Sequence, residues 1–139
     1  MNTKKIIVAA VIAAAGTFGA FGMADAATGV VNVNAVLASS NDFKSAQQSV
    51  LAERDSLQKS FADKSKDLSD ADRQKLAQDY QKQLQQKEQD AMKPVNEKLR
   101  AAVEKAAKAK NVDTVVVAGG LMYGKADVDL TQDVQANMK

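Results

Sequence analysis

Two carboxylates, Asp127 and Asp129, stand two residues apart near a turn, a spacing that a divalent cation or a general acid–base pair would use. The same spacing suits a solvated loop followed by a helix cap, and that reading is preferred. The chain of 139 residues has no His and no Cys. Zinc-type metal centres and His- or Cys-dependent nucleophilic catalysis therefore lack their raw material. No catalytic, metal-binding or cofactor-binding residue is assigned, no cofactor is expected, and the chain is not read as an enzyme. The pair Gly119-Gly120 is too short and wrongly placed for a phosphate loop. Charged runs such as Glu53, Arg54 and Asp55 read as a solvated helix surface.

The elements that would position any working surface are helical. From Asn41 to Lys110 the chain is rich in Gln and Lys, without Gly, and holds the sole proline, Pro94. Its apolar residues recur at Phe43, Ala46, Val50, Leu57, Phe61 and Leu68, then at Leu76, Tyr80, Leu84, Ala91, Val95, Leu99, Ala102 and Ala106. Steps of three and four place them on one narrow stripe, a coiled-coil seam. Between Leu68 and Leu76, Ser69 with Asp72 three places on forms a capping box, so the tract should fold back as two antiparallel helices. Arg54 and Lys64 interrupt the first arm's seam and weaken it. Pro94 should kink the second arm. Beyond it, small residues such as Ala102, Ala106 and Ala107 should pack on a separate body. Asn111 should take the left-handed conformation that ends the helix.

The flanks complete the plan. Lys4 and Lys5, the apolar run Ile6 to Phe21 and the small-x-small site Ala24-Asp25-Ala26 read as a signal peptide cleaved between Ala26 and Ala27. Gly29 to Val36 alternates like a β-strand, with Val31 and Val33 on one face. Val112 to Ala118 reads as a strand covered on both faces, with Val115, Val116 and Val117 consecutive. Gly119-Gly120 should turn the chain into a short hairpin strand at Leu121-Met122-Tyr123. A last short helix should bury Leu130 and Val134, capped by Asp129 or Thr131. The class is thus α+β: a helical hairpin arm at 41–110 on a small β-rich body made of 27–40 and 111–139, after a leader at 1–26.

That body is too small and too open-edged to be stable alone, so copies should associate through their strands. Val31, Val33, Val115, Val116 and Val117 are the candidate oligomer core. Taking Lys4, Lys5 and Asp25 from the 19 basic and 17 acidic residues leaves 17 and 16, a balance of +1. Nucleic acid is not an expected partner of so neutral a chain. The arm carries 15 basic and 12 acidic residues, a mild excess that favours weak, salt-screened contact with anionic lipid head groups.

The order of these pieces carries a resemblance. A leader is followed by Val30-Val31-Asn32-Val33-Asn34-Ala35-Val36-Leu37 and a charged helical hairpin. Then come Pro94-Val95-Asn96-Glu97-Lys98-Leu99-Arg100-Ala101-Ala102-Val103 and Lys108-Ala109-Lys110-Asn111-Val112-Asp113-Thr114-Val115-Val116-Val117. Tyr123 and Asp127-Val128-Asp129-Leu130-Thr131 close the series. Together they resemble the Skp/OmpH family of periplasmic chaperones, over essentially the whole mature chain. The resemblance implies a homotrimer with a barrel-like β core, and three arms enclosing a cavity for unfolded outer-membrane proteins. It implies a periplasmic, ATP-independent holdase. The arms are shorter than those of well-studied members, which implies a smaller cavity. Phe61, Leu68, Leu76 and Tyr80, the largest apolar residues of the distal arm, are the candidate client-binding residues. The alternative from a different class is a structural coiled-coil module of the cell envelope that docks one folded partner.

Overall fold

The computed structural model describes residues 7–8 and 26–139. The expected leader lies outside the described residues, apart from Ile7–Val8 and Ala26. In chain order the elements are β1 (Ile7–Val8), β2 (Thr28–Val31), α1 (Val33–Ser39), α2 (Asn41–Lys64), α3 (Asp70–Ala109), β3 (Thr114–Val117), β4 (Val128–Asp129) and α4 (Thr131–Asn137). They form two compact units, residues 41–97 and residues 1–40 with 98–139. The second unit takes the helical stretch 98–110 that the sequence had grouped with the arm.

The first unit is the helical hairpin. Helix α2 ends at Lys64 rather than Leu68, and a turn at 65–69 leads into α3. Ser69 caps α3: its hydroxyl accepts the Asp72 N–H at 3.2 Å and donates to Asp72 Oδ2 at 2.8 Å. This is half of the expected capping box: Ser69 satisfies a donor that a helix start would otherwise leave unpaired, while Asp72 takes the Ser69 hydroxyl in place of its N–H. Across the tip, Arg73 Nη2 donates to the carbonyls of Ser65 and Leu68. Pro94 is accommodated inside α3, which is assigned as one helix of 40 residues. The predicted seam is a continuous stripe: Phe43, Val50, Leu57, Phe61, Leu68, Leu76, Tyr80, Leu84 and Ala91 are partly buried, and Ala46 and Val95 are buried. Arg54 and Lys64 are exposed.

The second unit is built on a small parallel sheet of order β1-β3-β2-β4. Thr28–Val31 lies in register with Thr114–Val117, Gly29–Val30 with Val128–Asp129, and Ile7–Val8 with Thr114–Val115. One core fills it: Val31, Val36, Ala102, Val103, Ala106, Ala107, Val112, Val115, Leu130, Val134 and Met138. The small residues at the end of α3 are the ones that let the helix lie close. Gly29 is needed for the same reason. A Cβ there would meet Leu130 Cδ1 at 2.7 Å and Val112 Cγ1 at 3.0 Å, and Leu130 is wholly buried with nowhere to move.

The end of α3 follows the sequence reading. Asn111 has φ 53°. The Asn111 N–H reaches Lys108 O at 3.3 Å and the Val112 N–H reaches Ala107 O at 2.9 Å. This double closure, with buried Val112 packed beyond it, is a Schellman motif.

Three expectations about strands are corrected. The stretch from Gly29 to Val36 is not one strand. Asn32 Oδ1 accepts the Ala35 N–H at 3.1 Å, so Asn32 caps a helix start and α1 follows. Val33 therefore sits in a helix, partly buried against the core. Leu121-Met122-Tyr123 is not a hairpin strand. The segment after β3 runs through turns and bends, and the next strand is β4, parallel to β2. A parallel neighbour needs a crossover and not a tight turn. Finally, β3 is not covered throughout: Val115 is buried and Val116, on the other face, partly so, while Val117, on the face of Val115, is exposed.

Candidate functional site

The four client-binding candidates all lie in the hairpin unit, and each is partly buried. Two of them meet: the Phe61 and Tyr80 rings pack edge-to-face with centroids 6.3 Å apart and planes at 67°. Such a pair contributes about 0.5–1.5 kcal/mol beyond the area it buries. The Ser60 hydroxyl and the Tyr80 phenol share a hydrogen bond of 2.6 Å, and the Lys64 ammonium sits 5.9 Å above the Tyr80 ring centre. The Ser60 hydrogen bond, helped by Lys64, holds the Tyr80 phenol below its usual value, against an opposing push from desolvation. Leu68 closes the tip, where its carbonyl receives Arg73. Leu76 faces the seam one helical turn before Tyr80 on α3.

Around this pair the seam is open. A groove of about 360 Å³ runs between Arg54, Leu57, Gln58 and Phe61 of α2 and Ala77, Tyr80, Gln81 and Leu84 of α3. Its floor is apolar, its rim is polar, and no carboxylate lines it. A second groove, of about 430 Å³, lies where Phe43, Val50, Leu51 and Arg54 face Glu88 and Met92. Arg54 borders both. Its length explains the openings, since a seam position filled by Arg sends a charged head outward and leaves no apolar knob to fill the gap. These surfaces offer shallow apolar contact with a polar border, and no reacting group.

The sequence did not reveal the Ser60–Tyr80 hydrogen bond. Ser60 lies off the apolar stripe, and only the register between the two helices brings it to Tyr80.

In the sheet unit the carboxylate pair is accounted for. Asp127 Oδ2 accepts the Thr28 N–H at 2.7 Å, and the Asp127 N–H returns to Thr28 O at 2.8 Å, tying β4's approach to β2. Asp129 Oδ1 accepts the Thr131 N–H at 2.9 Å at the start of α4. Hydrogen bonds from Thr131 hold the Asp129 carboxyl below its ordinary 3.8. Thr131 Oγ1 in turn accepts the Asn32 N–H at 3.0 Å. The two acids fasten strands and a helix start. Among the described residues no acidic cluster is arranged to hold a metal ion, and no helix is long and apolar enough to cross a membrane.

Of the oligomer-core candidates, Val31 and Val115 are buried inside their own chain, and Val33 and Val116 are partly buried. Val117 is 38% exposed, and beyond it Met122 and Tyr123 are 92% and 97% exposed. At the expected cleavage site Ala26 is exposed, and Ala27 O accepts the N–H groups of Asp113 and Thr114.

Comparison with known proteins gives a family. A family model described as "Outer membrane protein (OmpH-like)" matches residues 69–138, which is 70 of the 139 residues. No curated protein matches the chain. A crystal structure described as that of an OmpH-like outer membrane chaperone from Caulobacter crescentus aligns over 88% of this chain and 89% of its own. The identity is 17% and the TM-score 0.46.

Proposed function

The chain belongs to the OmpH-like family, and we propose that it is an ATP-independent holdase chaperone of the periplasm that takes up unfolded outer-membrane proteins between helical arms. The observation that carries this reading is the incompletely closed hairpin seam, with its two shallow apolar grooves. Phe61, Leu68, Leu76 and Tyr80 are its client-binding residues. Each groove is too shallow to bind tightly, which suits a protein that must release its client. Affinity comes from several arms acting at once through effective concentration.

The reading includes a leader cleaved between Ala26 and Ala27, and self-association into a homotrimer with a barrel-like β core. The exposed apolar run Leu121–Tyr123 and the open ends of a small sheet support association. The number three rests on the resemblance to the Skp/OmpH family. The arm's small basic excess gives at most weak, salt-sensitive contact with anionic lipid head groups. The near-neutral chain has no role for nucleic acid.

Shortening the arm tests the mechanism. Deleting Arg54–Ser60 together with Tyr80–Gln86 removes seven residues from each helix, close to two turns, and so preserves the phase of the seam. The deletion removes most of the distal groove. The shortened protein should keep its assembly and its helical circular dichroism but lose suppression of aggregation of an unfolded β-barrel protein. Undiminished protection would remove the distal groove and Tyr80 from the mechanism. Recovery of a single folded partner in fixed stoichiometry would instead favour a structural docking module.

A further inference from the structure

The outer edge of β3 is the least protected part of the sheet. Its sequence, Thr114-Val115-Val116-Val117, is entirely β-branched and contains no charge, proline or glycine to discourage pairing. The direction of its hydrogen bonds follows from its two ends. The Thr114 N–H points to Ala27 O and the Ala118 N–H to Val31 O, both on the β2 side. Alternation along a strand then turns the N–H and C=O groups of Val115 and Val117 to the opposite side, away from β2. In the full chain that side is taken by β1, with Ile7 opposite Thr114 and Val8 opposite Val115. β1 belongs to the stretch read as a leader. It spans only two residues and stops short of Val117.

We propose that the leader, through Ile7–Val8, acts as a temporary edge strand that blocks β3 in the uncleaved chain, and that its removal opens the edge at Val115 to pair with a second copy of the chain. The inference rests on the leader and self-association readings above and adds the step that links them. Among the described residues, every buried residue of the hydrophobic core lies between Val31 and Met138, so cleavage takes none of them. The order becomes β3-β2-β4, with β3 at an open end. A second copy is the occupant that the surface fits. The edge offers the Val115 N–H and C=O and the Val117 N–H, the Val117 carbonyl already accepting the Gly120 N–H at 2.9 Å, and the adjoining Val117, Leu121, Met122 and Tyr123 present exposed apolar surface. A strand other than β3 from the second copy would join unlike surfaces, and such joins give a ring where the rotation between copies closes. Assembly is thereby tied to export.

Three proteins test the proposal: the chain Ala27–Lys139, the full chain produced without export so that its leader is retained, and the full chain carrying Ile7→Pro and Val8→Pro. Proline removes the donors and the geometry that β1 needs while leaving the leader attached. Light scattering should give an oligomer for the first, a monomer for the second and an oligomer again for the third. Amide exchange, read under dilution to monomer, should be on the order of tenfold slower at Val115 in the full chain than in Ala27–Lys139. Equal exchange at Val115, or a full chain that assembles as well as the cleaved one, overturns the blocking role. A proline variant that stays monomeric overturns it too, since the leader would then act by some route other than pairing. If Ala27–Lys139 is itself monomeric while Val115 is still protected by the leader, the self-association reading fails, and the proposal's second half fails with it.

Discussion

The two units of this chain are stabilised in different ways. In residues 41–97 only Ala46 and Val95 are buried, and the larger apolar side chains stay partly exposed along a thin seam. That unit is held by intrahelical hydrogen bonds, the Ser69 cap, the Arg73 clamp and one aromatic pair. Among the described residues, the sheet unit has a core of eleven buried residues drawn from β2, β3, α1, α3, α4 and the segments between them. Global stability therefore resides in the sheet unit, while the hairpin can open locally at small cost. Under the proposed chaperone reading, a surface that meets many unfolded sequences is better placed on the hairpin than on the sheet unit.

The strongest way to break this contrast is to charge the core. Val115→Asp puts an unpaired carboxylate where the side chain is 2% exposed, and should cost about 3–5 kcal/mol. Val117→Asp, two residues on along the same face but at its exposed end, should cost less than about 1 kcal/mol of chain stability. Denaturant midpoints of the two variants check both values at once. Similar losses would mean that this face of β3 is covered along its whole length.

A smaller effect should appear in the hairpin. Phe61→Ala removes the edge-to-face partner of Tyr80 and part of the groove wall, and should cost about 1–2 kcal/mol. The loss should be local. Amide exchange should speed up around residues 57–84 while the amides of β2, β3 and α4 keep their rates. Acceleration spread equally over both units would show that they unfold as one, and the contrast would fail.

What was legible in the sequence followed the same division. The hairpin's seam, its turn at Ser69 and Asp72, and the closure of α3 at Asn111 are local signals, each written in residues three to five apart, and they hold. The sheet was misread wherever two periods coincide. Val31, Val33 and Ala35 fit a strand's alternation, while Val33 and Val36 fit a helical step of three. The Asn32 side chain decides the matter by capping α1. The parallel pairing of β2 with β4 joins residues about a hundred positions apart through two-residue contacts, too short to show as a pattern. The Asp127–Asp129 pair was read as loop and cap, which is the chemistry its hydrogen bonds show. The site was legible as a set of large apolar residues, but the grooves depend on the register of one helix against the other, which no local signal fixes.

The mildest perturbation is pH, and it should act on the two units at opposite ends of the scale. Asp129 is held below its ordinary 3.8 by hydrogen bonds from Thr131. Its ionised form is therefore favoured in the folded state. The stabilisation it gives is complete above the unfolded value and is lost as pH falls from about 4 downward through the lowered folded value. In the hairpin, the Tyr80 phenol is lowered from 10.0 by Ser60 and Lys64, so the same sign makes its contribution grow as pH rises toward 10. Asp129→Asn keeps a side-chain acceptor for the Thr131 N–H and removes the titration. It should flatten the acid limb of a stability profile read at β2 and α4, and leave the hairpin unchanged. Ser60→Ala should raise the pH at which Tyr80 ionises, as read by ultraviolet absorbance, and leave the acid limb alone. An acid limb untouched by Asp129→Asn would place the acid sensitivity of the sheet unit in other carboxylates. A Tyr80 titration indifferent to Ser60 would mean that the hydroxyl does not hold the phenol.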